Sequence, residues 1–494
     1  MKTDGRDWLR VAPSLLLGAG LRLWLATRNA GVTMDSPLYV RMAEAISRGK
    51  SVVGPAHHGY SALVALASAL LPGRELPGRA VSFAAGLALI PLVYFLARRT
   101  TSPRWAGFAA LLVALHPLLA VYSGPIMTET TFLAIAAGAL LLLEDRHFLA
   151  GGFGLGLAYT VRPEALVMAA GATALSRGGR RGALLVLAGF VLVAAPYVGY
   201  LSWERGEFTL SPKSALIRPP ISTRTEAEWR VGANAPVEPP RNLIERVRWA
   251  APSIARDYLP ALIDHAGRLL EVWPWPLMAL SVIGLLRRRG PVASPLLQLF
   301  AMPALAVLAD LRFSQLFVPW LAVFAADASD WLARRWPRPP RLAATVSVAL
   351  ALAGLSLCWT GSSGRITSRF DDGPMRQMRA AGEWLRLNGR PGATVMDRKA
   401  YVPFYAGMTH VQLPADDYDT VVEYARRNAD YMVLEEYVVE KIRPEFKPFA
   451  HDSAFRANEH RLRMIYGTRG APLTGVVVLE VDRDTTRDGR RGRR

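Results

Sequence analysis

The sequence predicts an α-helical protein that crosses a membrane many times and carries a small C-terminal α/β domain. Hydrophobic residues make up 51% of the 494 residues and gather in long blocks such as 184–201 and 344–359. Blocks of that length match a bilayer rather than a soluble core helix. Lys and Arg stand in short clusters between the blocks, and after Asp371 short strand patterns alternate with helical ones. These three features exclude a soluble multi-domain protein.

The formal net charge of +19 would suit nucleic acid, because basic chains bind phosphates without sequence preference. Most Lys and Arg flank the apolar blocks, however, as membrane topology requires, so no nucleic-acid partner is expected. The basic end, residues 483–494, is predicted to be a disordered tail. The single cysteine, Cys358, permits neither an internal disulfide nor a thiolate metal site.

An excess of Lys and Arg marks the cytoplasmic loops of membrane proteins. Five clusters, at 2–10, 98–104, 177–181, 287–289 and 334–341, are therefore predicted to be cytoplasmic. An even number of spans must then separate each cluster from the next. About 11 spans satisfy this condition, at about 11–26, 79–97, 105–123, 129–143, 148–161, 163–176, 182–201, 271–286, 294–310, 313–328 and 342–360.

The apolar block 60–71 is too short to cross a bilayer and is predicted to lie along the outer interface. The first block lacks a convincing cleavage site, so it is predicted to be a retained span with the N-terminus in the cytoplasm. The short blocks between 148 and 176 are Gly-rich or broken by Pro, which is typical of spans that line a cavity.

This topology predicts a multi-pass protein of the plasma (cell inner) membrane. Residues 1–360 form the transmembrane domain, with outer loops at 27–78 and 202–270. Residues 361–482 form an extracytoplasmic α/β domain, because helical patterns at 373–389 and 419–429 alternate there with strand patterns at 393–397, 410–414, 430–436 and 475–481. No internal repeat is visible, which disfavours an inverted-repeat transporter.

Charged residues at the ends of spans are costly and often functional. Glu129 stands at the outer end of the connection between the third and fourth spans. Arg162 and Glu164 lie between two short apolar blocks, and Asp310 and Arg312 lie at the outer end of a hairpin of spans. Structural roles stay open, since Glu129 could cap the next helix and Arg162 could pair with Glu164. No comparable cluster is expected on the inner side.

The first outer loop contains further polar candidates. Asp35 precedes a helical pattern, and either Asp35 or Ser36 could simply cap that helix. His57 and His58 follow in the same loop, just before Tyr60 and the interfacial block. A histidine pair in a loop is usually solvated. A role in binding and simple exposure to solvent are therefore both left as alternatives for His57 and His58.

Taken in order, the loop aspartate and the patterns HP…Y.G…TE, RPE and RF…P resemble the polytopic glycosyltransferases that use lipid-phosphate sugars. The resemblance is closest to the bacterial glycosyltransferase family 39 type. That class includes protein O-mannosyltransferases and the lipid A aminoarabinose transferase. The C-terminal stretch AAGEWLRLNGRPGATVMDRKAYVPFYAG is similar to the outer domain of such bacterial members. The resemblance covers residues 8–482 and implies the membrane glycosyltransferase fold.

The resemblance also implies residue roles. Asp35 would be the catalytic base and Glu129 the second acidic residue of the catalytic site. Arg162 and Arg312 would bind the donor phosphate.

His57, His58, Tyr60 and Glu164 would contact substrate. The sequence HHGY departs from the relatives, which often have a basic residue followed by two prolines at this point. Metal use varies across the class, so a divalent metal held by Asp35, Glu129 or His58 is left open, and no cofactor is otherwise expected.

The expected function is therefore an inverting transfer of a hexosyl or pentosyl group from a polyprenyl-phosphate carrier to a lipid, glycan or protein acceptor at the outer face. Membrane lipids and the lipid-linked donor are the expected partners. Two alternatives remain, a transporter or flippase of lipid-linked saccharides and an inactive assembly subunit. A transporter needs polar groups near the midplane with access from both sides, whereas the candidates here gather at one end.

Overall fold

The computed structural model describes residues 5–28, 32–33, 35–51, 56–212, 243–288, 290–304, 309–335, 340–362, 373–414, 416–467 and 475–483. The chain forms two compact units. We call the first, Met1–Asn29 with Leu38–Ser222 and Pro239–Phe370, the membrane unit, and the second, Ala30–Pro37 with Thr223–Glu238 and Asp371–Arg494, the α/β unit. The predicted tail beyond Arg483 and the middle of the predicted long loop, 213–242, lie outside the described residues.

The membrane unit is helical throughout its described part. Its helices, the first turn of α2 belonging to the α/β unit, are α1 (Gly5–Arg28), α2 (Ser36–Ser47), α3 (His58–Ser68), α4 (Leu76–Arg98), α5 (Pro103–Leu115), α6 (Pro117–Val121), α7 (Glu129–Glu144), α8 (Phe148–Val161), α9 (Glu164–Ala174), α10 (Gly179–Arg205), α11 (Leu243–Val272), α12 (Trp275–Arg287), α13 (Gln298–Ala304), α14 (Leu311–Ser314), α15 (Val318–Arg335) and α16 (Pro340–Thr360).

Among the described residues, five helical stretches are long and apolar enough to cross a membrane. They are Gly5–Arg28, Leu76–Arg98, Gly179–Arg205, Leu311–Arg335 and Leu342–Thr360, and each coincides with a predicted span. Helices α11 and α12 meet at a bend of 109° and would count as a sixth span if taken together. The total of about eleven spans stays a prediction, because the other apolar helices are short.

Prolines explain why several predicted spans are interrupted. The predicted span 105–123 is divided at His116, which adopts an extended conformation before Pro117, as residues before proline prefer. The predicted span 294–310 begins as a 3-10 helix, Pro291–Leu297, and continues as α13. Residues 243–270, predicted to be part of an outer loop, are helical instead. Pro252 and Pro260 lie inside that helix, α11. Because proline is unfavourable in a helix interior, the sequence of this segment did not indicate a helix.

A buried arginine stabilises the break after α5. Arg22 of α1 is fully buried, and its guanidinium donates to the carbonyl oxygens of Ala114 at 2.9 Å and Val113 at 3.3 Å. These carbonyls lie in the last turn of α5, where an α-helix leaves acceptors without intrahelical partners. Arg22 also donates to Ser123 Oγ at 3.2 Å. A charge in the first span thus joins α1 to the segment that leads to α7.

Glycines let α8 and α10 approach closely. A Cβ at Gly152 of α8 would lie 2.1 Å from the carbonyl oxygen of Val186, and one at Gly189 of α10 would lie 2.1 Å from that of Leu149. Small residues at such positions are typical of packed membrane helices. This contact fixes the direction of α8, whose end carries Arg162.

The α/β unit contains a five-stranded sheet with helices around it. Its elements are α17 (Gly373–Asn388), β1 (Thr394–Asp397), α18 (Tyr401–Ala406), β2 (Thr409–Gln412), α19 (Tyr418–Asn428), β3 (Tyr431–Glu435), a π-helical turn (Val438–Ile442), a 3-10 turn (Pro444–Phe446), α20 (Lys447–His451), α21 (Ser453–Asn458), β4 (Leu462–Tyr466) and β5 (Val476–Val481).

The strand order is β2-β1-β3-β5-β4. β1 pairs in parallel with β2 and β3, whereas β5 pairs antiparallel with β3 and β4. One apolar cluster packs α19 against the sheet and a second packs α17 and α18 against it. Four strands and two helices lie in the segments that the sequence predicts, while β4 was not predicted.

Candidate active site

Glu129 is the centre of a buried ion-pair cluster in the membrane unit. It begins α7 and is fully buried. The backbone before it is held by Ser82, whose hydroxyl donates to Met127 O at 3.1 Å and accepts from Met127 N at 3.3 Å. The hydroxyl of Thr130 donates to Ser82 O at 3.1 Å. Helix α4, which carries Ser82, therefore fixes where Glu129 lies.

Tyr60 contacts the part of α4 that holds the backbone before Glu129. Its hydroxyl lies 2.7 Å from Ser82 Oγ and donates to Gly78 O at 3.0 Å. The ring is fully buried and packs edge-on against Tyr39, with 5.2 Å between centroids. Within the described residues, these contacts make Tyr60 part of the packing behind the loop before Glu129.

Arg162 reaches Glu129 from the end of α8. Pro163 follows it, so α8 ends at Val161 and Arg162 adopts an extended conformation. Its Nη1 donates to Glu129 Oε1 at 2.8 Å and to Thr128 Oγ1 at 3.0 Å. Its Nε and Nη2 donate to Glu164 Oε1 at 3.1 and 2.5 Å. The side chain is 2% exposed, so its charge is balanced mainly by these two carboxylates.

Arg312 contacts the same oxygen of Glu129 from another helix. Asp310 caps α14 and accepts the backbone N–H of Arg312 at 2.7 Å. The Nε of Arg312 then donates to Glu129 Oε1. The ring of Phe313 lies 5.6 Å from the guanidinium carbon of Arg162 and 5.8 Å from that of Arg312. The Arg312 side chain is 16% exposed and is the more accessible of the two cations.

The structure thus brings together four residues that the sequence singled out, Glu129, Arg162, Glu164 and Arg312. Two guanidinium groups converge on one carboxylate oxygen. The second oxygen, Glu129 Oε2, is buried and has no hydrogen-bond partner within the described ranges. Planar guanidinium forks bind phosphate in a bidentate manner. The arrangement suits an anionic ligand beside Arg312 and Arg162.

His57 and His58 lie in an aromatic group in the same unit. His57 is buried and its Nε2 lies 2.9 Å from Ser211 Oγ. His58 Nδ1 lies 3.0 Å from the hydroxyl of Tyr197, and the His57 ring packs against Tyr159 at 5.5 Å between centroids. The pair is therefore packed against α8 and α10 and is not a solvated loop pair.

No three His, Cys, Asp or Glu side chains form a metal-binding group in the part of the chain that the structure describes. Glu129 is a poor metal ligand here, because two guanidinium groups beside it repel a cation. The suggested ligand set, Asp35, Glu129 and His58, stays a prediction.

Asp35 is half-buried and belongs to the α/β unit with its neighbours at 30–37. It lies just before α2, whose buried face includes Tyr39 and Met42. Its proximity to Glu129 and the two arginines stays a prediction.

At the carboxyl ends of β1 and β3, Asp397 and Glu435 lie close together. Burial and the negative charge of Glu435 raise the pKa of Asp397 well above its usual value. Arg398 donates from Nε to Glu435 Oε1 at 3.1 Å. Burial and the negative charges of Glu435, Asp35 and Asp397 also raise the pKa of Tyr401, although Arg398 opposes this. No pattern in the sequence pointed to this group.

A comparable cluster lies at the end of α7 that the topology rule assigns to the inner side, where none was expected. Glu144, at the other end of α7, is nearly fully buried and pairs with Arg177 at 2.7 Å and Arg288 at 3.2 Å. Both arginines belong to clusters that the topology rule had already explained, so no separate signal pointed to Glu144.

Comparisons with known proteins define the class. Residues 58–203 match the family model described as dolichyl-phosphate-mannose-protein mannosyltransferase. This segment contains Tyr60, Glu129 and Arg162. No curated protein sequence matches the chain significantly.

Solved structures with the same fold include ArnT from Cupriavidus metallidurans bound to undecaprenyl phosphate. It is 12% identical, with a TM-score of 0.60 over 96% of this chain and 98% of ArnT. The Archaeoglobus fulgidus oligosaccharyltransferase in complex with Zn and sulfate is 15% identical, with a TM-score of 0.58 over 93% of this chain and 72% of that chain. The archaeal enzyme AglB from the same organism, with an inhibitory peptide and a dolichol-phosphate, is 13% identical, with a TM-score of 0.54 over 88% and 70%.

The matched segment, the shared fold and the apolar helices indicate a multi-pass membrane protein with the fold of membrane glycosyltransferases. The family resemblance is thereby confirmed. Residues 58–203 are thus similar to the mannosyltransferase family, and the chain shares its fold with ArnT and the archaeal oligosaccharyltransferase AglB.

Proposed function

We propose that this protein transfers a sugar from a polyprenyl-phosphate carrier to an acceptor hydroxyl at the outer face of the plasma membrane, with inversion at the anomeric carbon. The observation that carries the proposal is the pair of arginines, Arg162 and Arg312, converging on buried Glu129. The fold neighbours support it, since ArnT was solved with undecaprenyl phosphate and AglB with a dolichol-phosphate.

The arginines stabilise the leaving group. When the bond between the anomeric carbon and the phosphate oxygen breaks, its electron pair stays on the phosphate. Polyprenyl phosphate needs charge stabilisation at that moment rather than a proton. Arg162 and Arg312 offer donors fixed in advance in a partly dry site, where such interactions are strongest.

Glu129 acts as the anchor of the two arginines. One of its oxygens accepts from both guanidinium groups and the other is buried, so neither oxygen is exposed to take a proton from an acceptor. We therefore assign Glu129 a positioning role, in place of the catalytic role that the sequence suggested.

Asp35 is the proposed base. As the acceptor oxygen forms its bond to the anomeric carbon, the hydroxyl proton passes to the Asp35 carboxylate, and the phosphate departs with the bonding electrons. One base and one displacement give inversion. Carboxylates within hydrogen-bond reach of the acceptor perform this step in general base catalysis.

Substitution of Asp35 by Asn tests the proposal. Asn removes the basic oxygen but caps helices as well as Asp does, so a purely structural Asp35 would tolerate it. Full-length protein and synthetic polyprenyl-phosphate sugars would be used in a donor-consumption assay, with membrane extract as acceptor. We expect Asp35→Asn to bind donor and to consume none.

Asp417→Asn is the matched control, because Asp417 is an N-cap that accepts from Thr420 N at 2.9 Å. Wild-type turnover in Asp35→Asn would remove the base from the mechanism. Movement of the intact donor across liposomes without its consumption would favour the flippase alternative. Mass spectrometry of envelope glycans in a deletion strain would then identify the missing sugar.

A further inference from the structure

The segment that carries Asp35 is held by the C-terminal part of the chain. Residues Ala30–Pro37 group with Asp371–Arg494 in the α/β unit. The backbone N–H of Val32 donates to the hydroxyl of Tyr405 at 3.0 Å, across 373 residues of sequence. Val32 is almost fully buried. The contact with Tyr405 therefore holds the backbone three residues before Asp35.

Tyr405 is itself firmly placed. A Cβ at Gly382 of α17 would lie only 2.5 Å from the Tyr405 Cβ, so only glycine permits this approach of α17 to α18. The guanidinium carbon of Arg379 lies 5.5 Å from the centre of the Tyr405 ring, and Arg379 pairs with Glu383 at 2.8 Å. Helix α18 then ends at Gly407, whose φ of 69° favours glycine.

The other end of α18 also faces the segment. Tyr401, its first residue, is buried and lies within electrostatic reach of Asp35. Tyr401 is next to Asp397 and Glu435, which end the parallel strands β1 and β3. The carboxyl ends of parallel strands are where open α/β sheets usually place functional groups.

We propose that Tyr405 is a positioning residue that fixes the backbone of the segment that carries Asp35. The inference rests on the proposed function, because it assumes that Asp35 is the base. A catalytic base that is displaced by about 1 Å loses much of its effect on the reaction rate. Tyr405 should therefore affect the chemical step rather than donor binding.

Tyr405→Phe removes only the hydroxyl that accepts from Val32. Tyr431→Phe is a matched control in the same unit, since Tyr431 accepts the backbone N–H of Arg390, also at 3.0 Å. We expect Tyr405→Phe to lower kcat about tenfold, the effect of about one lost hydrogen bond, with the donor KM nearly unchanged. Tyr431→Phe should keep the wild-type kcat and lose a similar amount of thermal stability.

Hydrogen exchange of the full-length protein gives a second measurement that needs no activity. Tyr405→Phe should speed amide exchange in the peptide that covers 32–40, and Tyr431→Phe should not. Faster exchange with an unchanged kcat would overturn the catalytic role of the contact. Unchanged exchange would overturn the contact itself. If the wild-type protein transfers no sugar but the exchange difference holds, the proposed function fails and the positioning contact stands.

Discussion

Glu129 and Glu144 are the first and last residues of the same helix, α7, and each pairs with two arginines. With a rise of about 1.5 Å per residue, the two carboxylates are roughly 22 Å apart along the axis. Both are nearly fully buried. One cluster contains the residues of the family pattern, whereas the other joins Arg177 and Arg288 to the opposite end of the helix.

Neutralising Glu129 and neutralising Glu144 should have different effects on donor binding and turnover. Glu129→Gln and Glu144→Gln each remove the buried charged partner that two arginines share, and the loss of one partner of a buried pair costs about 3–5 kcal/mol in soluble proteins. We expect both variants to unfold at lower temperature in detergent. After normalisation to folded protein, only Glu129→Gln should lose donor affinity and turnover. Wild-type donor affinity in Glu129→Gln would show that the glutamate does not hold the phosphate-binding arginines.

Arg312→Lys tests the shape of the proposed phosphate site. Lys keeps the charge but lacks the planar fork that binds phosphate through two parallel hydrogen bonds. We expect donor affinity to fall about tenfold, measured by competition with polyprenyl phosphate. Stability should change little, because the side chain is partly exposed. Arg268→Lys, an exposed pair with Glu271, is the control. Equal affinity in both variants would contradict a bidentate contact.

The sequence predicted the class, the long spans and most of the α/β unit, because these depend on local periodicity and composition. It also singled out Glu129, Arg162 and Arg312, since charges beside apolar blocks are conspicuous. It did not reveal the contact of Val32 with Tyr405, which joins residues 373 positions apart. No local pattern encodes such a pairing.

Other misses have physical causes. Arg22 stands within the first predicted span, not at its end. A charge inside an apolar block was a usable sign of a buried contact. β4 is short and contains a charged residue, Arg463, which pairs with Glu480 of β5. Prolines broke two predicted spans, 105–123 and 294–310, into shorter helices. Arg22 and Arg463 each have a partner far away in sequence that compensates for a locally unfavourable charge.

Replacement of Asp397 by Asn should raise the stability of the α/β unit, and the gain should depend on pH. Burial and Glu435 raise its pKa well above the usual value. A carboxyl group with a raised pKa costs stability once the pH exceeds the pKa of the unfolded chain, and the cost grows until the folded pKa is reached. Asp397→Asn should therefore slow amide exchange in β1 at pH 7, and the gain should vanish near pH 3. Asn can still accept from Lys399 N.

Asp430→Asn should show the opposite sign. Burial raises the pKa of Asp430, but hydrogen bonds from Thr394 and the charges of Arg483 and Arg390 outweigh it and lower the pKa. The ionised group therefore contributes stability above its unfolded pKa, and Asn should speed exchange in β1 at pH 7. Slower exchange in both variants would show that loss of charge alone, not its environment, governs the effect.

Arg74 tests the predicted side of the membrane. It lies between α3 and α4, is exposed and pairs with Glu44 at 2.6 Å. Cys358 is buried, so a cysteine introduced at 74 would be labelled against a low background. Arg104, exposed at the start of α5, is the matched position, because its cluster is predicted to be cytoplasmic.

In intact spheroplasts, we expect a membrane-impermeant maleimide to label Arg74→Cys and to leave Arg104→Cys unlabelled until the membrane is permeabilised. Helix α3, Arg74 and the start of α4 would then lie on the outer side, and α4 would cross inward to Arg98, as the charge rule requires. The reverse pattern would mean that α3 crosses the membrane or that the orientation is inverted. Labelling of both positions before permeabilisation would show that α4 does not span, although it is one of the five helices that are long enough to do so.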